Sequence, residues 1–123
     1  MASDIDFRAR RILDVIAMIE DYRLDIRTVT MGISLIGCAR ATMSATAEAV
    51  YDRVTERAAR LVEVCEGIER ELGIPIVNKR ISVSPISLVA AELDGNPADI
   101  AASLDRAAAA LGVNFVGGYS SLV

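Results

Sequence analysis

Gly73-Ile74-Pro75-Ile76-Val77-Asn78-Lys79-Arg80-Ile81-Ser82-Val83-Ser84-Pro85-Ile86 is the stretch on which the fold turns. It reads as a strand that should be buried, yet Asn78, Arg80 and Ser82 take alternate positions along it. Successive side chains on a strand point to opposite faces, so these three share one face and Val77, Lys79, Ile81 and Val83 share the other. An ordinary core strand does not line up an amide, a guanidinium and a hydroxyl on one side. Buried polar groups need hydrogen-bond partners, and a buried charge needs more than that. The Asn78–Arg80–Ser82 face is therefore expected to be a site, or the wall of a polar interior.

Working outward, the flanking segments alternate helix and strand. Over Asp6 to Tyr22, Ile12, Ile16 and Ile19 fall at helical spacing, Leu13 and Val15 widen the stripe, and Ser3 or Asp4 supplies a cap. Leu24 to Met31 alternates as a strand, with Ile26, Thr28 and Thr30 on one face and Asp25, Arg27, Val29 and Met31 on the other. A loop over residues 32–40 leads to a second and longest helix. Its apolar residues Val50, Val54, Ala58, Leu61, Cys65, Ile68 and Leu72 recur every three or four positions. Glu56–Arg60 and Glu66–Arg70 sit at i,i+4 on its polar side with the acid first, and Gly73 supplies the stop. Asn96-Pro97 opens a third helix as N-cap and first helical residue. That helix ends at Leu111-Gly112, and a strand over Val113 to Val116 precedes Gly117-Gly118.

An internal echo links the last two units. Leu72-Gly73-Ile74-Pro75-Ile76-Val77 and Leu111-Gly112-Val113-Asn114-Phe115-Val116 both join a Leu-Gly helix end to an apolar strand. Long crossover helices return each strand parallel to the last, so residues 1–123 are expected to form a single α/β segment with a mostly parallel sheet.

The bulk numbers agree. A chain of 123 residues suits one domain, and 53% hydrophobic against 24% charged residues excludes a disordered tail. With no Trp, two Phe and three Tyr, the core must be aliphatic. The net charge of −4 argues against nucleic acid as a partner, since phosphate binding needs a basic surface. The one basic cluster, Arg8, Arg10 and Arg11, reads as a solvated helix face. Two cysteines and no His give neither a metal site nor a disulfide framework. Cys65 falls on the apolar helix stripe and should be inert, whereas Cys38 follows Gly37 in a loop. No signal-peptide core and no membrane-length apolar run are present, so a cytoplasmic setting without a membrane partner is expected.

One feature of the strands is unusual. A parallel sheet is covered on both faces and should read as a nearly continuous aliphatic run. These strands instead carry Asp25, Arg27, Thr28, Thr30, Asn78, Arg80 and Ser82, which suits a barrel with a working interior. Three strands cannot close a barrel, for which about eight are needed. The sequence also stops in the apolar segment Tyr119 to Val123. The expectation is a fragment, or a subunit whose sheet a partner completes.

The ligand-binding candidates are Arg27, Thr28, Asn78, Arg80, Ser82, Gly117 and Gly118. Arg27 and Arg80 suit a two-pronged grip on carboxylate or phosphate, with an internal salt bridge (to Asp25, for example) as the plainer role. Asn78 and Ser82 either orient a ligand or satisfy backbone and water. Gly32, Gly117 and Gly118 fall near strand ends, where backbone N–H groups cradle anions or simply turn the chain. Ser34, Ser84, Ser120 and Ser121 have no His to activate them, and Asp25 has no second carboxylate for acid/base work. Catalytic residues and cofactor stay unassigned. Two functions fit: a barrel enzyme acting on a small anionic metabolite, or a non-catalytic regulatory or assembly subunit. The second pairs through its sheet edge with another copy or with the remainder of a parent chain.

Three motifs in order carry a family resemblance: Leu24 to Leu35, Gly73 to Val83, and Gly112 to Ser120. They resemble the signatures of uncharacterised protein family 0210, also called domain of unknown function 711, across essentially the whole chain. The resemblance implies a parent of several hundred residues with this chain as its N-terminal portion. It also implies a fold similar to the ten-stranded α/β barrel of pyruvate formate-lyase and ribonucleotide reductase. The family has no established activity. Neither the glycyl radical residue nor the cysteine pair of those enzymes maps onto this chain, so radical chemistry is not carried over.

Overall fold

A computed structural model describes residues 2–22 and 27–120, so the predicted strand residues Leu24, Asp25 and Ile26 lie outside the described part. Three strands, β1 (Thr28–Ile33), β2 (Asn78–Val83) and β3 (Phe115–Gly117), form one parallel sheet in the order β1-β2-β3. Five helices accompany them: α1 (Ala2–Glu20), α2 (Met43–Arg57), α3 (Leu61–Leu72), α4 (Ile86–Val89) and α5 (Ala98–Leu111). The α/β class and the parallel sheet follow the sequence expectation.

The main hydrophobic cluster lies on one side of the sheet. Ile33, Ile81 and Val83 point from β1 and β2 into a cluster with Val50 and Val54 of α2, Ile86 and Val89 of α4, and Ile100, Leu104 and Ala107 of α5. Helices α2 and α5 belong to successive crossovers and pack against each other, so both crossovers lie over the same face. The opposite face receives none of them. A β1–β2–β3 order with its helices on one side brings each strand next to its predecessor through a single layer of helix.

Helix ends obey local chemistry. Thr42 accepts from the Ala45 N–H at 3.1 Å and starts α2. Asn96 accepts from the Ala98 N–H at 3.0 Å ahead of α5. Gly73 and Gly112 close α3 and α5 in the left-handed conformation, at φ 68° and 73°. The Leu-Gly echo is thus a repeated helix stop leading into a strand.

Four expectations need correction. The long second helix is two helices, α2 and α3, separated by a turn over residues 58–60. There Leu61 N–H bonds to the Ala58 carbonyl at 3.0 Å, a three-residue step that keeps Ala58 and Leu61 in phase. The apolar stripe passes through the break unaltered, which is why periodicity hid it. As a consequence Arg60 pairs with Glu63 at 3.5 Å rather than with Glu56. Second, α1 starts at Ala2, placing Asp4 in its first turn rather than at its cap. Third, β1 runs to Ile33 and takes in Gly32, a position expected in the loop. Fourth, β2 begins at Asn78, and β3 includes Gly117.

Helix α1 is lightly packed. Its Ile12, Val15 and Ile19 are only half-buried, and Phe7 and Leu13 remain 58% and 64% exposed. Arg8, Arg10 and Arg11 are solvated, Arg10 pairs with Asp6 at 3.3 Å, and Arg11 stacks over Phe7. Among the described residues no helix is long and apolar enough to cross a membrane.

Candidate functional site

The β1–β2–β3 register arranges the uncovered face in rungs. Thr28 lies opposite Asn78, Thr30 opposite Arg80, and Gly32 opposite Ser82. On the far side Arg80 pairs with Phe115 and Ser82 with Gly117. Thr28, Asn78, Thr30, Arg80, Ser82 and Phe115 therefore present their side chains together, as the alternation in the sequence requires. Residues of the intervening positions, Met31, Ile33, Ile81 and Val83, go to the helical side.

The sequence reading expected this face to be buried, and in this chain it is open. Thr30, Arg80, Ser82 and Phe115 are exposed, while Thr28 and Asn78 are half-buried. The reason is the one-sided packing of the helices. The Arg80 guanidinium sits 5.7 Å over the Phe115 ring, a cation–π contact from the adjacent strand. Among the described residues no carboxylate pairs with Arg80.

The other predicted site residues fall in distinct places. Arg27 precedes β1 and is exposed; its carbonyl accepts the Asn78 N–H at 2.9 Å and so begins the β1–β2 ladder. Gly117 lies on the open face, and an added Cβ would come 3.2 Å from Phe115 Cε1. Gly118 is outside the strand at φ +111°, with its backbone packed on Val83. Its carbonyl accepts the Ile86 N–H at 3.2 Å, tying the end of β3 to the start of α4. A close backbone approach, rather than a free anion cradle, accounts for glycine there.

At the carboxyl ends of β1 and β2 the serines act on the backbone. Ser84 Oγ accepts the Leu35 N–H at 3.0 Å, and Ser34 Oγ accepts the Ile36 N–H at 3.3 Å. Arg53 Nη1 donates to the Ser34 and Ile36 carbonyls at 2.9 and 3.3 Å. Together with Arg57, Gly32 and Ser34 it lines a cavity of about 270 Å³ along the outer edge of β1. The sequence reading missed this feature. The only signal was two arginines at i,i+4 in α2, and nothing local says that this helix face meets β1.

On the helical side β2 carries one charge, Lys79, whose ammonium pairs with Glu69 Oε1 at 2.8 Å. The contact with Lys79 holds the Glu69 carboxyl below its ordinary value against an opposing effect of burial. The same contact raises Lys79. Burial raises the Cys65 thiol, with Lys79 pulling the other way. Cys65 is 2% exposed, as its stripe position implied. Cys38, expected to be a loop thiol, is 1% exposed and points its Sγ at the Ala49 carbonyl. Both are free thiols.

The chemistry this face offers is recognition: a guanidinium fork, two threonine hydroxyls, a serine hydroxyl and an amide on one wall. These groups donate hydrogen bonds to an anion without supplying a nucleophile and base as a pair.

Residues 17–123 match the model of a family described as Uncharacterised ACR (DUF711). A UPF0210 protein of Corynebacterium glutamicum is 72% identical over 118 residues, which cover 96% of this chain and 25% of that protein. A UPF0210 protein of Desulforamulus reducens is 52% identical over 118 residues, covering 95% of this chain and 26% of its own length. One from Streptococcus mutans is 49% identical over 115 residues, again 26% of that protein. The chain thus spans about a quarter of the length of the curated relatives it matches.

Proposed function

Because the chain belongs to the family described as Uncharacterised ACR (DUF711), we propose that it forms part of an α/β-barrel enzyme in which the bare sheet face binds a small anionic metabolite. The observation that carries this reading is Arg80, exposed on the polar face of a parallel sheet and without a carboxylate partner among the described residues. Parallel sheets are covered on both faces or enclose an interior. Here the helices of both crossovers take one face, and the other is lined by Thr28, Thr30, Asn78, Arg80 and Ser82. That arrangement suits a barrel wall with helices outside and polar groups inside. The relatives have about three times as much further chain with which to complete it. Free thiols at Cys38 and Cys65 suit the cytoplasmic setting we assign to it.

The test is Arg80→Gln in the full-length protein, with inorganic phosphate and succinate as probes in isothermal titration at constant ionic strength. Binding should weaken at least tenfold while the far-UV circular dichroism stays unchanged. Equal affinity in both proteins would remove Arg80 from the site.

A second reading, a non-catalytic assembly subunit, rests on a separate observation. β1 is an edge strand of six residues whose outer side meets no strand among the described residues. Light scattering across a concentration series separates the two, since edge pairing between copies predicts a dimer and the barrel reading does not require one.

A further inference from the structure

Gly32 is a glycine for which the surrounding structure gives no internal reason. Of the eight glycines in the chain, Gly37, Gly73, Gly95, Gly112 and Gly118 have left-handed backbones. Gly117 lies against the Phe115 ring, and Gly67 lies in α3 within reach of Arg70. Gly32 alone has neither a left-handed φ nor, among the described residues, any atom within 4 Å of where its Cβ would be. It nonetheless sits inside β1, where glycine loses conformational entropy and contributes no packing. Glycine within a strand marks a bend, a bulge or a place where another group approaches the backbone closely. The β1–β2 register runs unbroken through Gly32↔Ser82, which excludes a bulge on the paired side.

The surroundings point to what approaches. Gly32 is beside Ser82, one rung toward the carboxyl end of the sheet from Thr30, Arg80 and Phe115. On that rung Gly117 is shadowed by the Phe115 ring, so the open ground is over Gly32 and Ser82. Gly32 is also a wall of the edge cavity that holds Ser34, Arg53 and Arg57. The bare Cα thus stands where the polar face meets a cavity lined by Arg53 and Arg57.

We infer that Gly32 determines specificity: its missing side chain leaves the space that a carboxylate or phosphate group occupies against Ser82 and Arg80. This rests on the anion-binding reading above and adds where the group sits and what limits its size. Gly32→Val puts a strand-favouring side chain into space that the described residues leave empty.

In the full-length protein, Gly32→Val and Arg80→Gln are compared with wild type, using urea unfolding followed by circular dichroism and titration with inorganic phosphate and with succinate. The expected result is a Gly32→Val midpoint no lower than wild type and at least tenfold weaker binding of the probes. A lowered midpoint would mean that the protein fills that space itself, and overturns the inference. Binding lost in Arg80→Gln but kept in Gly32→Val overturns it while leaving the anion reading intact. A wild-type protein that takes up neither probe overturns both. Binding lost in Gly32→Val but kept in Arg80→Gln overturns both, because the group is placed against Arg80.

Discussion

Replacing Gly118 by alanine tests how the end of β3 is locked to the core. The residue has φ +111°, where an L side chain is strained at about 1–2 kcal/mol. A Cβ there would also collide with the Val83 carbonyl oxygen and stand 2.9 Å from Val83 Cγ2 and 3.1 Å from the Val83 carbonyl carbon. Val83 is buried in the core, and its backbone has no room to retreat, so overpacking adds about 1–3 kcal/mol. The expected loss is therefore roughly 2–5 kcal/mol, a large part of the roughly 5–15 kcal/mol that holds a domain folded. With a urea slope of about 1–3 kcal/mol per molar, the midpoint should fall by about 0.7 M or more. Gly117→Ala is the control. Its backbone is not left-handed, and its near neighbour is the ring edge of Phe115, at 3.2 Å and on a side chain free to turn. That change should cost less than about 1 kcal/mol, in keeping with a surface substitution. Equal losses at the two positions, or a Gly118→Ala midpoint matching wild type, would refute the claim that the Val83 backbone demands a glycine.

Two further outcomes follow from the helical side of the sheet. Glu69 titrates below its ordinary value of 4.5 in the folded protein, so its stabilisation is complete above that value and disappears as pH falls through the folded-state value. Lys79 titrates above its ordinary 10.5, so its share persists below that and is lost only as pH rises through the folded-state value. Urea midpoints of wild type and Lys79→Met should accordingly differ at pH 7 and converge on acidification below 4.5; a constant difference down to pH 2 would contradict the pair. Cys38 and Cys65 should resist a thiol reagent in the folded protein and both react in urea, because burial keeps the thiols from solvent and raises the thiol of Cys65. Rapid labelling of either without denaturant would show that its cover is not in place.

The comparison of sequence and structure divides by range. The alternation of Asn78, Arg80 and Ser82 against Ile81 and Val83 survived intact, because a strand gives its residues no choice of side. The Gly73 and Gly112 stops were equally legible, each being settled by a few neighbouring backbone groups; Asn96 does accept the Ala98 N–H, but α5 begins one residue later than expected, with Pro97 rather than Asn96 at its cap. The break between α2 and α3 was not, since Ala58 and Leu61 keep helical phase through it and neither residue is a breaker. Gly32 was legible as a glycine near a strand end, but its significance lies in the emptiness around it, which is a property of space. The Arg53–Ser34 clamp joins residues nineteen apart in the chain and left no local trace.

The linear order of residues determined the class of fold, the direction of the strands and the grouping of polar side chains on one face. These come from local conformational preference and from the length of the crossovers, both written along the chain. Only the tertiary structure decided that this polar face stands open while Ile33, Ile81 and Val83 are sealed beneath α2, α4 and α5. Which face a helix covers is set by packing between segments far apart in sequence, where apolar area removed from water outweighs any local tendency.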